Sequence, residues 1–520
     1  MLIGWLPCGG RHVGGRAGVR REVGAVRFAA RGRNVLGRPR MAQGSSRRRV
    51  GTSSVAGLTP VGKPEQDGAV DEETLIGPAL PDDATVNLVL DLALRVGEVQ
   101  MASGAGAADV TATVIAVTSA CGLPHCEVDV IFTSISICCH RGTELAPVTS
   151  QRVVRGRALD YTRLAAVESL VRGITAGRVD AAHARARLRA ITDAPHPYPR
   201  WVATLAWALM AATVVVLIGG GAGVAIIAGV ITAIIDRVGR LLNRRQLPFF
   251  FQQVAGGVLA TGITLAAMRF GLLPVGVQPS LVVAGAITVL LSGLSVVSTV
   301  QDAISGYNVT AAGRAMEVSL MSAGLVAGVV LALGVAVGLG LPDAPLAEPL
   351  AQTALRLPVQ VLAGGAAAAC FAVASYATRR AVPVAAGAGA LGALAHGALV
   401  LFGLNQIAAS AVAATLIGFC GGLMSRRFRL PPLVVAVSGL TPLLPGLTTY
   451  QSMFQLAVQH SISGLPTATL AIAIALALAA GVVLGEYLAQ PVRTGLGRLE
   501  RRLSGPRMAG PLRPSRRRLE

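Results

Sequence analysis

Polar residues flank one short turn in apolar sequence: Gln301 and Asp302 before Gly306-Tyr307-Asn308-Val309-Thr310, then Arg314 and Glu317 after it. Charge within membrane-spanning sequence is costly and usually functional, so two acids and a base bracketing one hairpin can pair or exchange a proton. The plainer alternative is that these charges end two helices at a membrane surface, which is also how Asp236 and Glu486 read. A second kind of chemistry belongs to the backbone. Gly293, and Pro442 with Pro445 and Gly446, interrupt apolar stretches and release N–H and C=O groups that a continuous helix would consume. Interrupted helices hold solutes on such groups at mid-membrane, the alternative being a packing kink. Tyr450 and Gln451 follow within one to two turns and are suited to line the same path.

Other residues invite chemistry and do not support it. Cys121, His125, Cys126, Cys138, Cys139 and His140 form a cluster whose spacing fits no common zinc pattern, and strand alternation would turn Cys139 away from Cys138 and His140. No metal and no cofactor is expected. His396, alone between Ala395 and Gly397, reads as a helix-contact residue, with protonation as the alternative. Gly389, Ala393 and Gly397 lie four residues apart, a spacing that lets membrane helices approach closely. There is no P-loop, GxSxG or HExxH, so neither an enzyme nor an ATP-driven pump is expected.

The elements that carry these residues are set by composition. Of 520 residues 53% are hydrophobic and 14% charged, where soluble domains carry about 25% charge, so an ordinary soluble enzyme is excluded. The net charge of +20 does not indicate nucleic-acid binding, because residues 1–50 and 493–520 hold eighteen of those charges and the intervening 442 residues are nearly neutral. Seven cysteines without repeated spacing make no disulfide framework. The N-terminal apolar run ends at Pro7 and is too short for a secretory signal; residues 1–40 are transit-peptide-like in composition or lie upstream of a start at Met41.

Composition divides the chain into a basic, disordered region at 1–84, an α+β domain at 85–195, apolar halves at 201–341 and 356–490, and a basic tail at 491–520. Within the domain, Leu88, Leu92, Val96 and Val99 have helical spacing, residues 107–120 form a second helix, and Val128 to Cys138 read as one strand with Ile131, Ile135 and Ile137 on one face. Leu164, Val167, Val171 and Ile174 return to helical spacing. About ten spans follow, near 201–218, 222–236, 250–268, 280–300, 316–341, 358–377, 382–402, 407–424, 432–455 and 465–488, each near the roughly 20 residues that cross a bilayer. With the domain in the cytoplasm, the inner loops hold Arg237, Arg240, Arg244, Arg245, Arg314, Arg379, Arg380, Arg426, Arg427 and Arg429. The outer loops hold only Arg269 and Arg356, the bias expected of a multi-pass protein whose domain and tail are both cytoplasmic.

Leu290-Leu291-Ser292-Gly293-Leu294-Ser295 in the fourth span matches Leu443-Leu444-Pro445-Gly446-Leu447-Thr448 in the ninth. The match divides the spans into two fives, and an odd number per half predicts an inverted repeat. The fold class is thus a polytopic α-helical membrane protein with a small α+β N-terminal domain.

Gly97-Glu98 with Ser103-Gly104-Ala105, Tyr198-Pro199-Arg200-Trp201, Gln301-Asp302 through Gly306, Thr310, Arg314 and Glu317, and Thr441-Pro442-Leu443-Leu444-Pro445-Gly446 stand in an order that resembles the threonine/serine exporter family over about residues 85–490. Ser292 departs from the Pro-Gly expected there, which leaves the sharpness of the fourth-span break open. The resemblance implies export of L-threonine and L-serine across the bacterial cytoplasmic membrane, driven by the proton motive force. The expected partners are that amino-acid substrate, protons and lipid, with no nucleic acid; a homo-oligomer is compatible with this reading. In it, Asp302 and Glu317 are proton-coupling candidates, Arg314 is their partner or a contact for the substrate carboxylate, and Gln301, Gly293, Pro442, Pro445, Gly446, Tyr450 and Gln451 line the path. The alternative is a channel, or a transporter of another small solute such as a dicarboxylate or peptide.

Overall fold

In the computed structural model, residues 82–504 are described except 142–144, 157–158, 272–277, 291–292, 341–352, 429, 458 and 460. The expectations for residues 1–81 and 505–520 lie outside them. Asp82 accepts the Thr85 N–H at 3.3 Å and starts helix α1 (Asp83–Ala102). Residues 83 and 84 are therefore helical, where disorder was expected. The helix buries Val86, Val89, Leu90, Ala93 and Val96 against α2 (Ala107–Ala120), and Gly97 permits the approach: a Cβ there would meet Val114 Cγ2 at 3.0 Å.

The single expected strand is two. Strands β1 (Cys126–Ile131) and β2 (Ser134–Cys139) form a hairpin closed by Phe132, whose φ of 52° lies in the left-handed region, and Thr133. That turn parts Ile131, which is exposed, from Ile135 and Ile137, which are buried; a period-two reading carried across it put all three on one face. Strand β3 (Val148–Val153) pairs antiparallel with β2 to complete a sheet of order β1-β2-β3. Helices α3 (Tyr161–Thr175) and α4 (Ala181–Asp193) close the domain core through Val167, Leu170, Ile174, Ala184 and Leu188.

The membrane portion consists of α5 (Arg200–Leu217), α6 (Ala222–Arg244), α7 (Phe249–Arg269), α8 (Pro279–Thr288), α9 (Gly293–Ile304), α10 (Asn308–Gly338), α11 (Leu357–Ala374), α12 (Ala381–Leu401), α13 (Gln406–Phe428), α14 (Pro432–Leu440), α15 (Gly446–Ala457) and α16 (Gly464–Ser504). Among the described residues eight helices are long and apolar enough to cross a membrane, nine if the α14–α15 pair, bent by 48°, is one span. The count of about ten is not reached because α8 has 10 residues, or about 15 Å, half of a hydrocarbon core. Two other bounds move: the fifth span begins at Asn308, so residues 308–310 are helical, and α16 continues from the last span to Ser504, inside the expected tail.

Glycines show that the two halves are built alike. Gly324 and Gly328 of α10 lie against the carbonyls of Phe250 and Val254 of α7, and Gly257 of α7 lies against that of Leu325. Gly481 and Gly485 of α16 lie against those of Ala411 and Thr415 of α13, and Gly418 against that of Val482, with the same spacings throughout. Association in lipid lacks a hydrophobic drive and depends on such close approach. The other packing partners repeat as well: α5 on α6 as α11 on α12, α8 on α6 as α14 on α12, and α9 on α16 as α15 on α10.

Candidate functional site

Among the described residues the expected site residues fall in two polar places, one at the seam with the N-terminal domain and one between the two broken helices. At the seam, α9 ends and α10 begins within three residues, which carries Asp302 and Arg314 into one buried pocket of the hairpin. Arg314 Nη1 is 2.8 Å from Asp302 Oδ2, and the two residues are 2% and 0% exposed. Their remaining groups face the domain. Asp302 Oδ1 accepts the Ala107 N–H at 2.7 Å, and Arg314 Nη2 donates to the Ala105 carbonyl at 3.2 Å. Ala107 is the first residue of α2, whose N-cap Gly106 has no side chain to cap it, so a carboxylate from another element takes that place at the positive helix end. A Cβ on Gly106 would meet Gln301 at 3.1 Å and Asp302 at 3.3 Å, which leaves glycine the residue that admits both.

The hydrogen bonds continue outward. Gln301 donates to Asp109 Oδ2 at 3.1 Å, so it lies at the seam and not with the helix breaks. Thr310 Oγ1 donates to the Val130 carbonyl at 2.8 Å and accepts the Phe132 N–H at 3.0 Å, and the Phe132 ring lies against Gly313. The hairpin tip of the sheet is thereby fixed to α10. Glu317, half-buried, stands one turn beyond Arg314. Acidic neighbours and withdrawal from water affect the domain side. Burial pushes the Glu168 carboxyl up to about 7, opposed by Arg172 and reinforced by the charge of Asp109. Asp109 keeps an exposed edge, yet burial of its carboxyl raises it too, the Gln301 hydrogen bond opposing and Asp302 adding.

A second attachment lies at the α11–α12 turn. The Tyr161 and Thr162 N–H groups donate to the Ser375 and Tyr376 carbonyls, both at 3.1 Å, and the Thr162 hydroxyl also donates to Tyr376. His196 Nδ1 is 2.7 Å from Asp160 Oδ2, and its ring stacks on Tyr376 with centroids 4.6 Å apart. These contacts define one end of the bundle. Since α8 lies against Val215 near the opposite end of α5, the α8–α9 pair runs from that end to the seam as two rods in place of one.

The breaks themselves meet. Thr288, the last residue of α8, and Thr441, at the start of the 3-10 turn Thr441–Leu443 after α14, occupy equivalent places, each hydroxyl donating to the carbonyl four residues back. Gly446, the first residue of α15, lies directly against Thr288 Oγ1, a contact that any Cβ would block. Pro442 is buried in the 3-10 turn and Pro445 is half-buried beside Gly446, while Gly293 begins α9. The C-terminal carbonyls of α8 and the N-terminal N–H groups of α15 thus come together, opposite dipole ends in one place. Tyr450 points elsewhere: it is 2% exposed, packed in the apolar cluster of Val282, Leu325 and Val329, with its ring 6.2 Å from Phe454. Gln451 is half-buried.

One residue at the breaks was not anticipated. Gln253 of α7, 5% exposed, donates from Nε2 to the Leu290 carbonyl at 3.2 Å, one of the groups that the break releases. Its sequence signal was present, because Gln252-Gln253 is a polar pair within an apolar span, and such residues face a bundle interior.

Along α9, Asp302 is nine residues from Gly293, about 14 Å, so the seam and the breaks are separate places joined by one helix.

Comparison with known proteins gives consistent matches. The family model described as "Putative threonine/serine exporter" matches residues 91–336, which hold the domain and the first half. A second, "Threonine/Serine exporter, ThrE", matches residues 360–488, the second half. A protein of Mycobacterium tuberculosis (strain ATCC 25618 / H37Rv) named "Probable threonine/serine exporter" is 40% identical over 433 residues, 82% of this chain and 81% of the relative. The "Threonine/serine exporter" of Corynebacterium glutamicum is 38% identical over 419 residues, 80% of this chain and 85% of the relative. No solved structure matches the chain.

Proposed function

Because the chain belongs to the threonine/serine exporter family, we propose that it carries L-threonine and L-serine out of the cell across the bacterial cytoplasmic membrane, driven by the proton motive force. The observation that carries the reading is the meeting of the two broken helices within a chain whose relatives bear that name over four fifths of its length. A zwitterion needs partners of both signs, and the C-terminal end of α8 beside the N-terminal end of α15 offers them without any charged residue. Gly293, Pro442, Pro445 and Gly446 release the backbone, and Gln451 follows it on α15, while Tyr450 packs in the apolar cluster. The excess of Arg in one set of loops supports a cytoplasmic domain and tail.

In this reading Asp302 and Arg314 act at the inner end of the path. Asp302 holds the domain on α9 through the Ala107 N–H and pairs with Arg314; taking up a proton there, with Glu317 one turn away, would remove the ion pair and loosen the inner seam as the solute passes. Gln301 belongs to that same seam. The experiment is efflux from cells preloaded with threonine-, serine- or glutamate-containing dipeptides. Threonine and serine leave at rates that an uncoupler abolishes, and glutamate is retained. Efflux of all three, or efflux indifferent to the uncoupler, returns the chain to a channel or to a carrier of another solute.

A further inference from the structure

The exporter reading leaves open which side chain recognises the solute as an amino acid, and Gln253 has the chemistry for it. Leu290 O can only accept, so the amide of Gln253 must present Nε2 to it, and Oε1 then faces the other way. That oxygen is buried with no hydrogen-bond partner among the described residues. A buried acceptor without a donor is destabilising, a cost that a donor brought by a ligand removes. Its partner Leu290 lies two residues beyond Thr288, the last residue of α8, which is in contact with Gly446. Among the described residues the place is apolar and holds no carboxylate: Val282, Leu325 and Val329 share one buried cluster with Leu290, and Gly256 gives Leu290 its room. Acceptors without a negative charge suit an ammonium group that arrives with its own carboxylate, since a fixed carboxylate there would repel the other end of the zwitterion.

We infer that Gln253 is the specificity residue for the substrate's α-ammonium group, which donates to Gln253 Oε1, while the substrate carboxylate faces the N-terminal end of α15. Gln253 also joins α7 to the break, so the residue that reads the ammonium group is the one that ties the broken span to its neighbour. Gln252, beside it, also has a buried Oε1 with no partner among the described residues, but its Nε2 donates to Leu247 O at 2.7 Å and not to the break, which makes it the comparison residue.

The assignment rests on the exporter reading, and the test separates the two. Full-length protein in liposomes is assayed for L-threonine counterflow, with 3-hydroxybutanoate, which keeps the hydroxyl and carboxylate and lacks the amino group, as competitor. Wild type prefers threonine by a large factor. Gln253→Leu raises KM for threonine roughly tenfold to hundredfold, the worth of one hydrogen bond to a charged group, and brings the preference over 3-hydroxybutanoate down to a few-fold. Gln252→Leu is the control and leaves both quantities unchanged. An unchanged preference in Gln253→Leu overturns the assignment while leaving the exporter reading intact. Wild-type protein that fails to discriminate the two solutes overturns the assignment even if no variant folds. Wild-type protein that moves neither threonine nor serine overturns the exporter reading instead.

Discussion

Replacing Asp302 by asparagine removes the charge opposite a guanidinium that is 2% exposed and touches the domain. Breaking one partner of a buried pair costs about 3–5 kcal/mol, because the surviving charge is left uncompensated. The expected result of Asp302→Asn is faster amide exchange in residues 103–110 and in the α9–α10 turn. Pairing it with Arg314→Met restores part of the protection, since no charge is then stranded. Exchange that stays at the wild-type rate in the single variant would show that the pair does not hold the seam. Glu168 supplies a pH dependence at the same place. Its carboxyl, ordinarily near 4.5, titrates at about 7 in the folded domain. A raised carboxyl contributes stability that is fully present below pH 4.5 and is lost as the pH rises to about 7, after which stability levels off. The thermal midpoint should therefore fall between pH 4.5 and 7, and Glu168→Gln should flatten that slope; a wild-type midpoint that instead rises across this interval contradicts the sign.

The glycine interlocks set the element scale. On α16, Gly485 lies against the Thr415 carbonyl so closely that backbone would have to move for a methyl group. Gly485→Ala should cost about 1–3 kcal/mol, the range for forced overpacking. By contrast, Gly262 on α7 faces open space, and there alanine gains from the lost backbone freedom of glycine, worth up to about 1 kcal/mol in a helix interior. Thermal unfolding of the two detergent-solubilised variants should move in opposite directions, and equal shifts would mean that the α13–α16 contact is slack. The sequence showed where spans begin and end to within a few residues for α5, α7, α11, α12 and α13, because hydropathy is a property of each segment alone. It did not show that residues 128–138 hold a turn, since strand-forming aromatic and β-branched residues continue through Phe132-Thr133 and only the left-handed φ at Phe132 breaks the period.

For the whole molecule, the described domain contacts, at the α9–α10 seam and at the α11–α12 turn, lie at one end of the bundle, the end that also holds Arg240, Arg314, Arg379 and Arg380. With that end in the cytoplasm, an impermeant thiol reagent should leave Cys121, kept as the sole cysteine, unlabelled on intact cells and label it in inverted vesicles; labelling on intact cells reverses the orientation. Taken alone, the sequence determined a multi-pass membrane chain of two related halves and its family, since apolar length, arginine bias and short motifs can each be read locally. It also singled out Asp302 and Arg314. Only the tertiary structure decided what they touch: Asp302 meets Ala107 across 195 residues of chain, and Gln253 meets the broken span across 37. Contacts over such separations depend on how rods and sheet pack together, and no local period or hydropathy carries that information.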